Sequence, residues 1–101
     1  VTVPKFRKKP VVIEAFQMTR ERRENNSEWP EWLHKAWNIP GEGSLFIDPD
    51  DPERKRLCIG TLEGVHRVGW HDWIIQGVKG ELYPCKDDIF RATYEPVAGI
   101  E

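Results

Sequence analysis

The chain has 101 residues, 15 of them basic and 17 acidic, and a formal net charge of -2 with its three histidines neutral. That length holds one domain around a single core, hiding roughly two-thirds of the surface of the unfolded chain, and excludes a second domain. At 39% hydrophobic and 32% charged, with five Trp, four Phe and two Tyr, the composition excludes a natively disordered chain, and no apolar run approaches the roughly 18 residues that span a bilayer.

After a basic lead of Lys5, Arg7, Lys8 and Lys9, Pro10 opens the β-branched run Val11 to Gln17, which predicts a strand. Thr19 to Asn26 is almost wholly polar and is expected to be a connector, delivering Ser27 as the N-cap of a helix. In that helix Pro30 falls in the first turn, and Trp29, Trp32, Leu33, Ala36 and Trp37 recur at three- and four-residue spacing. Asn38 to Gly41 stops it, Ser44 to Ile47 is a short strand, and Asp48-Pro49-Asp50-Asp51-Pro52 is an acidic loop.

From Lys55 the pattern becomes a meander. Leu57 to Leu62 and Val65 to Val68 form a hairpin across Glu63-Gly64, and Trp73 to Val78 and Glu81 to Cys85 form a second across Lys79-Gly80, with Pro84 marking an edge. Asp87 or Asp88 caps a short helix over Ile89 to Tyr94, where Phe90 and Tyr94 make an i, i+4 pair, and Tyr94 to Val97 offers one further strand. The expected fold is therefore α+β: a mostly antiparallel sheet of five to six strands, one Trp-rich helix and one short C-terminal helix. Organised in this way, the single domain 1–101 comprises the basic lead 1–9, a middle segment 18–56 and a hairpin and short-helix segment 57–97.

Two long stretches, Lys5-Phe6-Arg7-Lys8-Lys9-Pro10-Val11-Val12-Ile13-Glu14-Ala15 and Asp72 to Lys86, continued by Ile89-Phe90 and Thr93-Tyr94-Glu95, resemble a family of small phage and prophage proteins. The match covers the first 17 residues and roughly the last 40. It implies phage origin and a shared fold; the family supplies no catalytic residues to carry over. Members usually have a Pro-Gly turn before the aspartate that precedes the aromatic strand, where this chain reads Gly69-Trp70-His71-Asp72. The unmatched middle, Met18 to Arg56, is where partner choice is expected to reside.

Catalytic chemistry finds little footing in these residues. The two serines, Ser27 and Ser44, have structural positions, and no phosphate-cradling glycine loop occurs. Cys85 followed by Lys86 suggests a lowered thiol pKa, and His71 beside Asp72 suggests a base with its orienter, but neighbours on an extended chain point to opposite faces. Cys58, His66, His71 and Cys85 could furnish a mixed zinc set, yet the spacing matches no standard knuckle. No enzyme activity, metal or cofactor is expected. The two cysteines lack a C-x-x-C pair and are too few for a disulfide framework, which points to a reducing compartment.

Binding remains, with two candidate surfaces. Trp29, Trp32 and Trp37 on the helix, together with Asp48, Asp50 and Asp51, are the expected surface for a host protein, because three tryptophans exceed what one sheet face covers and tryptophan concentrates in interaction hot spots. Arg67, Trp70, His71, Lys79 and Tyr83 group aromatics with cations, the means of holding a nucleotide-type ligand, and this reading carries a homo-oligomer with it. The leading expectation is a non-enzymatic phage or prophage accessory protein that binds and inhibits or redirects a host protein in the cytoplasm of an infected bacterium. Sequestration of a nucleotide-type defence signal and a minor virion component are the alternatives. No membrane association is expected, and sequence-specific nucleic-acid binding is disfavoured at a pI near 5.9.

Overall fold

The computed structural model describes residues 2–97. Its elements in order are β1 (Glu14–Gln17), α1 (Arg20–Glu24), a single 3-10 turn (Asn26–Glu28), α2 (Glu31–Ala36), β2 (Leu45–Ile47), β3 (Leu57–Thr61), β4 (Gly64–Val68), β5 (Trp73–Gln76), β6 (Leu82–Cys85) and α3 (Asp87–Thr93). The fold is α+β with six antiparallel strands, divided between two three-stranded sheets ordered β1-β5-β6 and β2-β3-β4. Alternation of apolar residues and turn chemistry marks each strand locally, but the pairing of β1 with β5 joins segments far apart in the sequence. β6 packs against β3 and β4, bringing the two sheets together.

One core serves both sheets. Leu33 and Ala36 of α2 meet Leu45, Leu57, Ile59, Val68, Ile74 and Leu82 from five strands, with Met18 and Trp29 completing it. Ile75 is as fully buried as Ile74; as neighbours on a strand they face opposite ways, so β5 is covered on both faces. Trp73 shares the face of Ile75, and Phe90 of α3 lies flat on its ring, 4.2 Å between centroids. α3 is thus the cover of the second face.

Several expectations change. The last helix, α3, takes Lys86 as its N-cap, so that Asp87 and Asp88 lie in its first turn. The first strand starts at Glu14 rather than Val11, and Val11 and Val12 stay exposed. The first hairpin turns at Leu62-Glu63, with Thr61 opposite Gly64, whose φ of 121° suits glycine alone. No strand forms over residues 94–97. The largest change is at Thr19 to Asn26, where a helix replaces the connector. Thr19 caps it by accepting from the Arg22 N–H, and Asn25 caps the 3-10 turn by accepting from the Ser27 N–H; Ser27, expected as the N-cap of the Trp-rich helix, lies inside that turn, and the N-cap position of α2 falls to Pro30. α2 begins after Pro30, leaving Trp29 in extended backbone before it.

α1 buries no residue, yet it is anchored. Its arginines spread over aromatic rings from three other parts of the chain: Arg20 over Trp70 and Arg22 over Phe16, both at 4.7 Å, and Arg23 over Trp37 at 5.5 Å. Arg22 also donates to the Gln17 carbonyl and Arg23 to that of Lys55. A guanidinium lying on a ring combines stem packing with attraction to the ring face, worth about 0.5–1 kcal/mol at exposed sites.

Candidate functional site

The three helix-region tryptophans divide by burial. Trp29 is 7% exposed and its indole N–H donates to the Arg22 carbonyl at 2.6 Å, so it is a core residue with its one polar atom satisfied. Trp37 is half-buried and meets Trp29 edge-on, while Trp32, also half-buried, donates to Glu14 Oε1. Only Trp32 and Trp37 keep surface to offer a partner.

The acidic loop is largely self-organised. Asp48 is 5% exposed; it accepts from the Asp50 N–H and pairs with Arg67 at 3.3 Å. Asp51 accepts from the N–H groups of Arg56, Lys55 and Glu53, and these donors, Arg56 first, hold its carboxyl below the usual range. Asp50 is exposed, with Arg67 Nη2 2.8 Å away. Arg67 therefore belongs to the acidic loop, which it ties to β4.

The other aromatic and cationic candidates are spread along the β1-β5-β6 sheet. Trp70 and His71 sit in the turn entering β5 and Lys79 in the turn leaving it, so the four residues of β5, about 13 Å of strand, lie between them. His71 is exposed and held at φ 73°, while Trp70 has a buried indole N–H without a partner in the structure. Tyr83 stands opposite Ile75 in the middle of β6.

Tyr83 is where a cleft forms. The basic lead crosses the sheet there, so that Lys8, Lys9 and Val11 face Tyr83, Tyr94 and Glu81 around a volume of about 420 Å³, within the usual range for small-molecule sites. Lys8 Nζ lies 6.0 Å from the centre of the Tyr94 ring. Burial first, and the neighbouring Tyr94 second, push the Tyr83 phenol up to about 12. Two ammonium groups against one carboxylate leave the cleft with a positive balance.

The position of Tyr94 is built in from below. Tyr94 stacks on Phe90 at 5.0 Å, Phe90 stacks on Trp73, and the Trp73 indole N–H donates to Asp87 Oδ1 at 2.8 Å. Arg91 and Gln17 donate to the same oxygen. The indole first, and then Arg91, hold the Asp87 carboxyl below its ordinary value. A carboxyl lowered by folding adds stability that is full above its unfolded pKa and is lost as pH falls through its folded one. Acidification below about pH 4 is therefore expected to loosen α3 from Trp73, read as a change in tryptophan fluorescence, and Asp87→Asn should lack most of that step. The i, i+4 pair of Phe90 and Tyr94 is visible in the sequence; the third ring, and the meeting of Lys8 and Lys9 with Tyr83, depend on topology.

Neither thiol is primed for attack. Burial first, then the Asp48 carboxylate, pushes the Cys58 thiol up. Burial first, then Asp72, does the same for Cys85, reversing the lowering expected from Lys86, whose ammonium turns instead toward Asp72 at 3.7 Å. Across the first hairpin Cys58 stands opposite Arg67, and His66 opposite Ile59. Among the described residues no three His, Cys, Asp or Glu side chains gather as a metal site would need, and no helix is long and apolar enough to cross a membrane. Protein-family models, curated proteins and solved structures alike give no match to the chain.

Proposed function

We propose that this chain is a non-enzymatic accessory protein of phage or prophage type that acts by binding a nucleotide-type small molecule, one with an aromatic ring and a phosphate, and withholding it in the cytoplasm of an infected bacterium. The observation that supports this reading is the meeting of Lys8, Lys9, Tyr83 and Tyr94 around one cleft. An ammonium pair suits a phosphate as point charges, a tyrosine face suits a base, and a protonated phenol supplies a directed donor. The phage origin rests on the resemblance of residues 5–15 and 72–95. Binding of a host protein, the leading expectation from the sequence, loses support as Trp29, Asp48 and Asp51 turn inward to the core and the loop.

Calorimetric titration with a panel of cyclic dinucleotides and ADP-ribose-type nucleotides is expected to yield a ligand that is recovered unmodified after denaturation. The double variant Lys8→Ala/Lys9→Ala should weaken it at least tenfold, and Trp32→Ala/Trp37→Ala should leave it unchanged. Absence of heat at millimolar nucleotide would overturn the proposal. If a host protein captured by the wild type were then lost with Trp32→Ala/Trp37→Ala, the tryptophan surface would take its place.

A further inference from the structure

We propose that residues 2–7 of one copy of this chain dock into a cleft of a second copy, reciprocally, so that two protomers exchange their N-terminal arms. This goes beyond the ligand reading; of the residues it invokes, Glu81 also lines the cleft at Tyr83. Phe6 is 92% exposed and Val3 77%, so the arm carries two large apolar side chains that its own chain does not cover. The arm carries Lys5 and Arg7 on either side of Phe6, and no acidic residue occurs before Glu14. Among the described residues neither Lys5 nor Arg7 has an ion-pair partner.

A cleft of opposite character lies between the β3-β4 hairpin and β6. Its volume is about 390 Å³; Leu62, Leu82 and Pro84 supply apolar wall, Glu42, Glu63 and Glu81 the charge, and no lysine or arginine lines it. Leu62, at its rim, is 86% exposed. Glu42 and Glu63, like the arm's cations, lack an ion-pair partner among the described residues. A phenylalanine ring flanked by cations thus faces an apolar trough flanked by carboxylates. Such a match orients a partner, and burying the ring removes much of the 150–250 Å² that an aromatic side chain hides.

Six extended residues reach about 20 Å, enough to cross to a neighbouring protomer. Because every copy carries both an arm and a cleft, a two-fold arrangement makes the contact twice and closes. The contact is partly electrostatic between exposed charges, so salt weakens it.

Light scattering on a size-exclusion column is expected to give a mass twice the 11.8 kDa of the chain at sub-millimolar concentration. Phe6→Ala, whose ring touches little in its own chain, should raise the dimer dissociation constant at least tenfold, and Glu42→Lys/Glu63→Lys should do the same. Combining the latter with Lys5→Glu/Arg7→Glu should restore the dimer. A photo-crosslinker at position 6, in a mixture of light and heavy isotope-labelled chains, should give light–heavy pairs mapping to residues 62–66 or 81–84. A monomer at every concentration, crosslinks confined to one chain, or a dimer indifferent to Phe6→Ala and to the charge reversals would overturn the proposal.

Discussion

Trp29→Ala is expected to cost about 3–5 kcal/mol, the range for truncating a large aromatic in a packed core, and to be read as a fall in the urea midpoint with little change in slope. The cost has two sources. The indole is 7% exposed, among Met18, Leu33 and Ala36 of the core, and its edge-on contact with Trp37 disappears with it. Its N–H also satisfies the Arg22 carbonyl in α1, a helix that buries none of its own residues. Losing that bond together with the support under Trp37, on which Arg23 lies, should free α1 before the rest of the domain unfolds. Hydrogen exchange would register this as earlier exchange in residues 20–24. Trp32→Ala, by contrast, removes a half-buried ring and should cost well under half as much. Equal costs at the two positions would contradict this division.

The second large effect is expected at Asp72. Its carboxylate is 5% exposed and accepts from the Gly69 N–H at 2.7 Å, while its own N–H donates to the Gly69 carbonyl and its carbonyl accepts from Met18. These bonds close a tight turn in which His71 sits at φ 73°, a region that favours glycine. Asp72→Ala leaves a backbone donor unpaired and Lys86 without its carboxylate, and should cost about 1–3 kcal/mol by denaturant titration. Asp72→Asn should recover part of that by keeping an acceptor. A substitution at Asp72 without effect would mean that the turn is held by its backbone bonds alone. The turn over Gly69 to Asp72 is thus held by side-chain capping as well as by its backbone bonds.

The order of elements was legible because each strand carries its own apolar run and each hairpin its glycine. α1 was not, since its contacts come from arginines stacked on Phe16, Trp37 and Trp70, which leave no apolar period to read. The sequence suggested a single sheet; the division into two follows from β5 pairing with β1 across a long separation, and no local signal specifies that choice. Of the cleft, Tyr83 was visible as an aromatic on a hairpin, and Lys8 and Lys9 as a basic cluster. Their meeting required the path of the chain before β1. The inward placement of Trp29 was equally hidden, because helical spacing cannot say whether a stripe faces the core or a partner.

The pairing of β1 with β5, in which Gln17 stands opposite Trp73, has a kinetic meaning. The β2-β3-β4 sheet is made from neighbours in sequence, so its loops are short and cheap to close, whereas β1 must wait for closure of a long one. β1 is therefore expected to be the last strand to join and the first to leave. Lys8 and Lys9 precede it by a few residues, so the cleft they share with Tyr83 exists only after that final step. A bound ligand would act as a latch on the slowest part of assembly, lengthening the life of the closed form without touching the core.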